Sequence, residues 1–155
     1  MIRKAEKRDI ARIGELLVQV CNVHHEGRED LFRCDGRKYN KEELEGILAD
    51  PETPIFAYTD ENDRMLGYCY CVFQRHRGQG AMTDHATLYI DDLCVDEACR
   101  GRGIGLALYN HVKQFAKENG CYNVTLNVWS KNEAALAFYR KIGMQVQKYG
   151  MEEIL

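Results

Sequence analysis

The spacing of apolar residues changes several times along this chain, and each change marks a new element. Residues 1–5 alternate briefly and read as a strand, with Asp9 placed as the N-cap of a following helix. Ile10, Ile13, Leu16, Leu17, Val20 and Cys21 then recur at three- and four-residue intervals, the period of a helix with one buried face. Over residues 22–37 that pattern dissolves among charges, which predicts an irregular connection. Asn40 followed by Glu43 has the form of a capping box, and Leu44, Ile47 and Leu48 carry a short helix up to Pro51. Residues 55–59 and 65–74 read as strands joined by the polar turn 60–63. Residues 75–84, with Gly78 and Gly80, read as a flexible loop.

The second half repeats the alternation of periods. Residues 87–95 are strand-like and end at a glycine-rich turn. Ile104, Leu108, Val112, Phe115 and Ala116 then form a helical face, with Gly120 just beyond it as a C-terminal stop. Residues 121–128 read as another strand. Ser130 and Glu133 suggest a second capping box ahead of Ala135, Leu136, Phe138, Tyr139 and Ile142. Gly143 ends that helix, and the tail 144–155 has the length for one or two last strands. The expected order is β-α-α-β-β-β-α-β-α-β, without repeat, linker or low-complexity block. That mixture predicts one α/β (α+β) domain over residues 1–155.

Composition narrows the function classes. Of the 155 residues 45% are hydrophobic and 29% charged, and 21 Lys+Arg against 24 Asp+Glu give a net charge of −3. Nothing there advertises nucleic acid or an anionic membrane as a partner. No apolar run reaches membrane-spanning length and no signal-peptide core stands at the N-terminus, so a cytoplasmic location is expected. Seven cysteines are an odd count without a secretion signal, which argues against a disulfide framework. The Cys69-x-Cys71 spacing is not that of a zinc or redox site, and no histidine joins it, so no metal is expected.

Chemistry concentrates at the strand-to-helix turn, which carries Arg100, Gly101, Arg102, Gly103, Ile104, Gly105 and Leu106. Glycines there let a ligand approach the backbone, and the free N–H groups and dipole of the next helix favour phosphate. A dinucleotide fingerprint would need glycine where Leu106 stands, and a P-loop would need a Lys-Ser or Lys-Thr pair that is missing. By itself the turn is also compatible with an ordinary glycine-rich connection.

What remains, Arg100-x-x-Gly103-x-Gly105, resembles the acyl-CoA signature [QR]-x-x-G-x-[GA] of the GNAT superfamily of N-acetyltransferases. Residues 132–144 are similar to a second segment of that superfamily, N-x-x-A-x-x-F-Y-x-x-x-G-F, with Asn132 and Tyr139 two helical turns apart. The resemblance implies a mixed, mostly antiparallel sheet, flanked by helices, that splays open beside its central strand. It implies acetyl-CoA as cofactor, its pantetheine arm bonded to backbone around Leu93, Cys94 and Val95 and its pyrophosphate on residues 100–106. Asn132 would contact the cofactor, and Tyr139 would protonate the departing thiolate, unless it only packs the helix.

Acetyl transfer to an amine needs a proton acceptor, because only the free base attacks. Asp91 and Asp92 stand on the central strand and, by simple alternation, would point to opposite faces. Residues 89–95 are similar to the matching strand of spermidine/spermine N-acetyltransferases, which assigns the base to the first carboxylate, Asp91, with Asp92 second. Elsewhere the likeness to those enzymes is poor, and polyamine specificity does not carry over. His24, Glu26, Arg28 and Phe32 are candidates for one wall of the acceptor pocket, in a segment that also reads as a plain solvated loop. The expected acceptor is a primary amine of a small molecule. The alternatives are a protein amine, N-terminal or lysyl, and an acyl-CoA-binding module without turnover. Homodimers are common in the superfamily, and no residue pattern here decides the point.

Overall fold

The computed structural model describes residues 1–155. Five strands form one sheet in the order of the sequence: β1 (Ile2–Lys4), β2 (Ile55–Thr59), β3 (Met65–His76), β4 (His85–Val95) and β5 (Asn123–Leu126). The first four pair antiparallel, and β5 lies parallel to β4. Parallel neighbours need a crossover, supplied here by helix α3 (Ile104–Glu118), which covers one face of the sheet. Helices α1 (Ile10–Gly27) and α2 (Lys41–Ala49) cover the other, and α4 (Glu133–Lys141) follows β5.

Strand alternation sorts the core into two layers. Ile55, Ala57, Tyr68 and Tyr70 point at α1 and α2, where Ile10, Ile13, Leu16, Leu17 and Leu44 meet them. Phe56, Cys69 and Cys71 point the other way, against Ile104, Leu108, Val112 and Ala116 of α3. The apolar faces predicted for both long helices are the faces that are buried. The Asn40 capping box also forms: Asn40 accepts from the Glu43 N–H at 2.8 Å, and Glu43 accepts from the Asn40 N–H at 2.7 Å.

Four expectations are corrected. Asp9 stands at the N-cap position of α1, but its side chain makes no capping bond, because Arg3 takes both its oxygens, at 2.7 and 3.0 Å, and the Glu6 N–H takes one of them at 2.7 Å. The first helix runs past residue 22 to Gly27; the loop beyond is folded back on it by Asn22, which exchanges two hydrogen bonds with Asp35. At the start of α4 the cap is Asn132 and not Ser130. A turn from Trp129 O to the Asn132 N–H (2.9 Å) delays the helix, and the Asn132 side chain accepts from Ala135. The tail adds no strand: Val146, Tyr149, Met151 and Ile154 are exposed and do not alternate, and the tail touches the body through Glu152 on Arg28.

Candidate active site

The site begins with an irregularity in β4. Tyr70 of β3 faces Asp92, but Cys71 faces Ile90, so Asp91 is an extra residue, a β-bulge. Its effect is visible in the packing. Leu88 and Ile90 face α3, whereas Cys94, of the same parity, faces α1. The bulge reverses the strand. Just there β4 loses its other neighbour: pairing with β5 stops at Ile90 and Leu126, while β4 continues to Val95. Residues 92–95 therefore have a partner in β3 and none on the β5 side, which leaves a gap in the sheet.

Asp91 and Asp92 do not point to opposite faces. Lys38 Nζ lies 2.7 Å from Asp91 Oδ2 and 3.9 Å from Asp92 Oδ1, so one ammonium reaches both. The Tyr39 hydroxyl donates to the same Asp91 oxygen at 2.8 Å. Asp92 is the more deeply buried, and its Oδ2 has no hydrogen-bond partner. Desolvation pushes its carboxyl up to about 7, against the pull of Lys38 and helped by the nearby Asp91 charge. A carboxylate that takes up a proton near neutral pH, with a free oxygen, is able to exchange a proton with a ligand. Asp91, held by two donors, is the less available of the pair.

The glycine turn lies at the far end of the gap. Gly103 caps α3 in a left-handed conformation, φ +79°, and a Cβ built on it would meet nothing of the chain within 4 Å. Glycine is required there by the backbone, and the space in front is open. The N–H groups of residues 101–106 donate to no other atom of the chain. A network missing from the sequence reading fixes the turn. Asp96, the first residue after β4, accepts from Arg12, from Gln19 at 3.5 Å and from the Ala98 N–H at 3.1 Å, while Gln19 accepts from the Glu97 N–H at 3.0 Å. The Arg100 side chain donates back to Val95 O at 3.3 Å, and Arg102 is exposed.

The chain matches the model of the acetyltransferase (GNAT) family over residues 17–144. It belongs to that family. Among curated relatives it is 32% identical to the peptidyl-lysine N-acetyltransferase YjaB of Escherichia coli (strain K12), over 86% of this chain and 76% of that protein. It is 35% identical to the glucosamine 6-phosphate N-acetyltransferase of Trypanosoma brucei brucei, over 64% of this chain and 63% of that protein. Among solved structures, a mutant of the BH1408 protein from Bacillus halodurans superposes with a TM-score of 0.95 at 30% identity, covering 100% of this chain and 99% of that one. The chain is thus an acetyl-CoA-dependent acyltransferase of the GNAT family, with the sheet and helices of that fold.

Acyl-CoA fits the geometry. The unengaged N–H groups and the open face of Gly103 suit a pyrophosphate, and the edge of β4 at Leu93 and Val95, which no strand covers although Arg100 reaches Val95 O, suits an amide-bearing arm. Cys94 would contribute backbone only, since its thiol is buried on the α1 side and donates to Leu16 O at 3.4 Å. Asn132 spends its side-chain oxygen on the helix cap, which leaves its amide N–H groups for a ligand. Burial raises the Tyr139 hydroxyl above the ordinary tyrosine range, with Cys69 and Asp92 among the ionisable groups near enough to add to the shift. It stays protonated at neutral pH, as a proton donor must.

The expected acceptor wall is only partly assembled. His24 and Phe32 meet with ring centroids 4.9 Å apart, and Phe32 stands edge-on to Trp129 at 5.2 Å. Burial, with Lys38 adding to it, lowers the His24 imidazole below its usual range, so that it is neutral. Arg28 is already paired with Asp30 (2.7 Å) and Glu152, and Glu26 is exposed to solvent. Lys38, Tyr39 and Trp129 were missed by pattern reading, since their positions follow only from loop and sheet contacts across the chain.

Proposed function

We propose that this GNAT enzyme moves the acetyl group of acetyl-CoA to a primary alkyl amine, by direct attack in a ternary complex. Asp92 serves as proton acceptor and Tyr139 as proton donor. Acetyl-CoA supplies the activated acyl group as a thioester. The backbone of residues 101–106 would hold its pyrophosphate, and Leu93 and Val95 its arm. The observation that carries the reading is Asp92: a buried carboxylate with a free oxygen, beside the gap in the sheet. It accepts the ammonium proton of the incoming amine. Asp91, oriented by Lys38 and Tyr39, keeps the approach negative for a cationic acceptor. The seven cysteines are all free thiols, and direct attack by the amine needs none of them.

A small-molecule amine is the first acceptor class, entering between His24, Phe32 and Trp129. A lysine side chain of a protein is the second, favoured by one observation: a four-carbon primary ammonium, that of Lys38, already stands at the carboxylate pair. CoA release measured over a panel of diamines, amino sugars, amino acids and lysine peptides tests the reading. Turnover of any primary amine that is abolished by Asp92→Asn supports it. CoA release unaffected by that substitution refutes the role of Asp92.

A further inference from the structure

Lys38 occupies a place that neither fold nor cradle requires. It lies on the connection between α1 and α2, is half-exposed, and brings its Nζ to 2.7 Å from Asp91 and 3.9 Å from Asp92. A surface lysine paired with one surface aspartate would be an ordinary ion pair of little energetic weight. Here the acceptors are a bulged carboxylate and a buried one, at the point where β4 and β5 part. An acceptor amine would have to reach the same place. We infer that Lys38 is itself an acceptor, acetylated on Nζ by its own chain. The inference rests on the acetyltransfer reading given above.

The step balances without a further reactant. Neutral Lys38 Nζ attacks the thioester carbonyl of acetyl-CoA; a C–N bond forms, the C–S bond breaks, and the acetyl group ends as an amide. Of the two protons the nitrogen loses, Asp92 takes the first and passes it to solvent. The second balances the one the CoA sulfur takes up through the Tyr139 hydroxyl. The product lacks the ammonium, so Asp91 loses its ion pair and keeps Tyr39. The four-carbon stem of Lys38 stays in the acceptor approach, and entry of other amines changes with it.

Two reagents separate enzyme-directed from merely chemical acetylation. Purified protein is incubated with acetyl-CoA and no other amine, and each lysine is followed by peptide mass spectrometry. The same is done with N-hydroxysuccinimide acetate and no CoA. Lys38 should gain an acetyl group from acetyl-CoA at least about tenfold faster than Lys41, at a rate per chain independent of protein concentration. With the free ester that preference should be lost, because a reagent arriving from solvent meets an Nζ already engaged by Asp91 at 2.7 Å. Lys38→Arg should abolish the mark without moving it to Lys41, and a folded Asp92→Asn protein should lose it as well. A Lys38 that reacts no faster than Lys41 with acetyl-CoA, that is favoured by both reagents, or whose rate rises with protein concentration overturns the inference. Turnover of an external amine with Lys38 unmodified overturns it while leaving the acetyltransfer reading intact. Absence of both refutes both.

Discussion

Arg12 on α1 donates to Asp96, 84 positions later, at the residue where the chain leaves β4 for the glycine turn. The same guanidinium donates to Met65 O at 3.1 Å, so a single side chain ties helix, sheet and the entrance of the turn together. Both partners are largely buried and Asp96 is held below the ordinary carboxylate range, with its hydrogen bonds and Arg12 outweighing desolvation. Arg12→Ala should therefore raise KM for acetyl-CoA by about tenfold while kcat for the best amine changes little, because only the positioning of the turn is lost. Steady-state kinetics with each substrate varied checks this. A raised KM for the amine alone would contradict it.

The Asp92 carboxyl makes opposite predictions for activity and stability. As a base it must be ionised, so kcat/KM should rise with pH up to about 7 and level off above, and Asp92→Asn should cost at least about 10²-fold. For stability the sign reverses. The folded protein keeps this proton up to about pH 7 and the unfolded chain releases it near 3.8. The native state binds more protons between those values, and stability falls as pH rises through that window. Asp92→Asn has no such loss. At pH 8 it should be more stable than wild type by up to about 4 kcal/mol, with a much smaller difference at pH 4. Denaturant unfolding at both pH values measures this; a difference independent of pH would remove the buried-base assignment.

Gly103 separates folding from binding. A side chain there meets open space but is forced to a positive φ, in front of the free N–H groups. Gly103→Val should keep the circular dichroism of the wild type and lose CoA affinity on the order of 100-fold. Calorimetry that finds full affinity in a folded variant would take the pyrophosphate away from this turn.

Tyr139→Phe keeps the ring and deletes the hydroxyl. If that hydroxyl protonates the leaving sulfur, kcat should drop by about 10²-fold with CoA affinity unchanged. Unaltered turnover would reduce Tyr139 to a packing residue of α4, beside Phe138 at 5.2 Å.

Much of the fold was legible because its helices and strands have clean periods. Ile10 to Leu17 and Ile104 to Ala116 are buried as their spacing requires. The last turns of α1 were not legible, since His24, His25 and Glu26 are polar and hide the period just where the helix ends. The glycine turn could be read locally, as backbone chemistry written in consecutive residues. The acceptor side could not. Lys38 meets Asp91 across 53 positions and Phe32, after α1, meets Trp129, after β5, and no local pattern encodes either. Assuming regular alternation put Asp91 and Asp92 on opposite faces, whereas one ammonium reaches both. A bulge becomes visible only when the register of the neighbouring strand is known.

That bulge has an evolutionary corollary. With Asp91 deleted, Ile90 would still face α3, and Asp92, Leu93, Cys94 and Val95 would keep their present faces in unbroken alternation. A regular β4 could then go on hydrogen-bonding beyond Leu126, and the sheet would close. A protein lacking Asp91 is expected to fold at least as stably as the enzyme and to bind no CoA, which thermal unfolding and calorimetry would show together. Catalysis would in that case be one codon away from an inert scaffold, since the extra residue beside the opening of the sheet is itself a carboxylate.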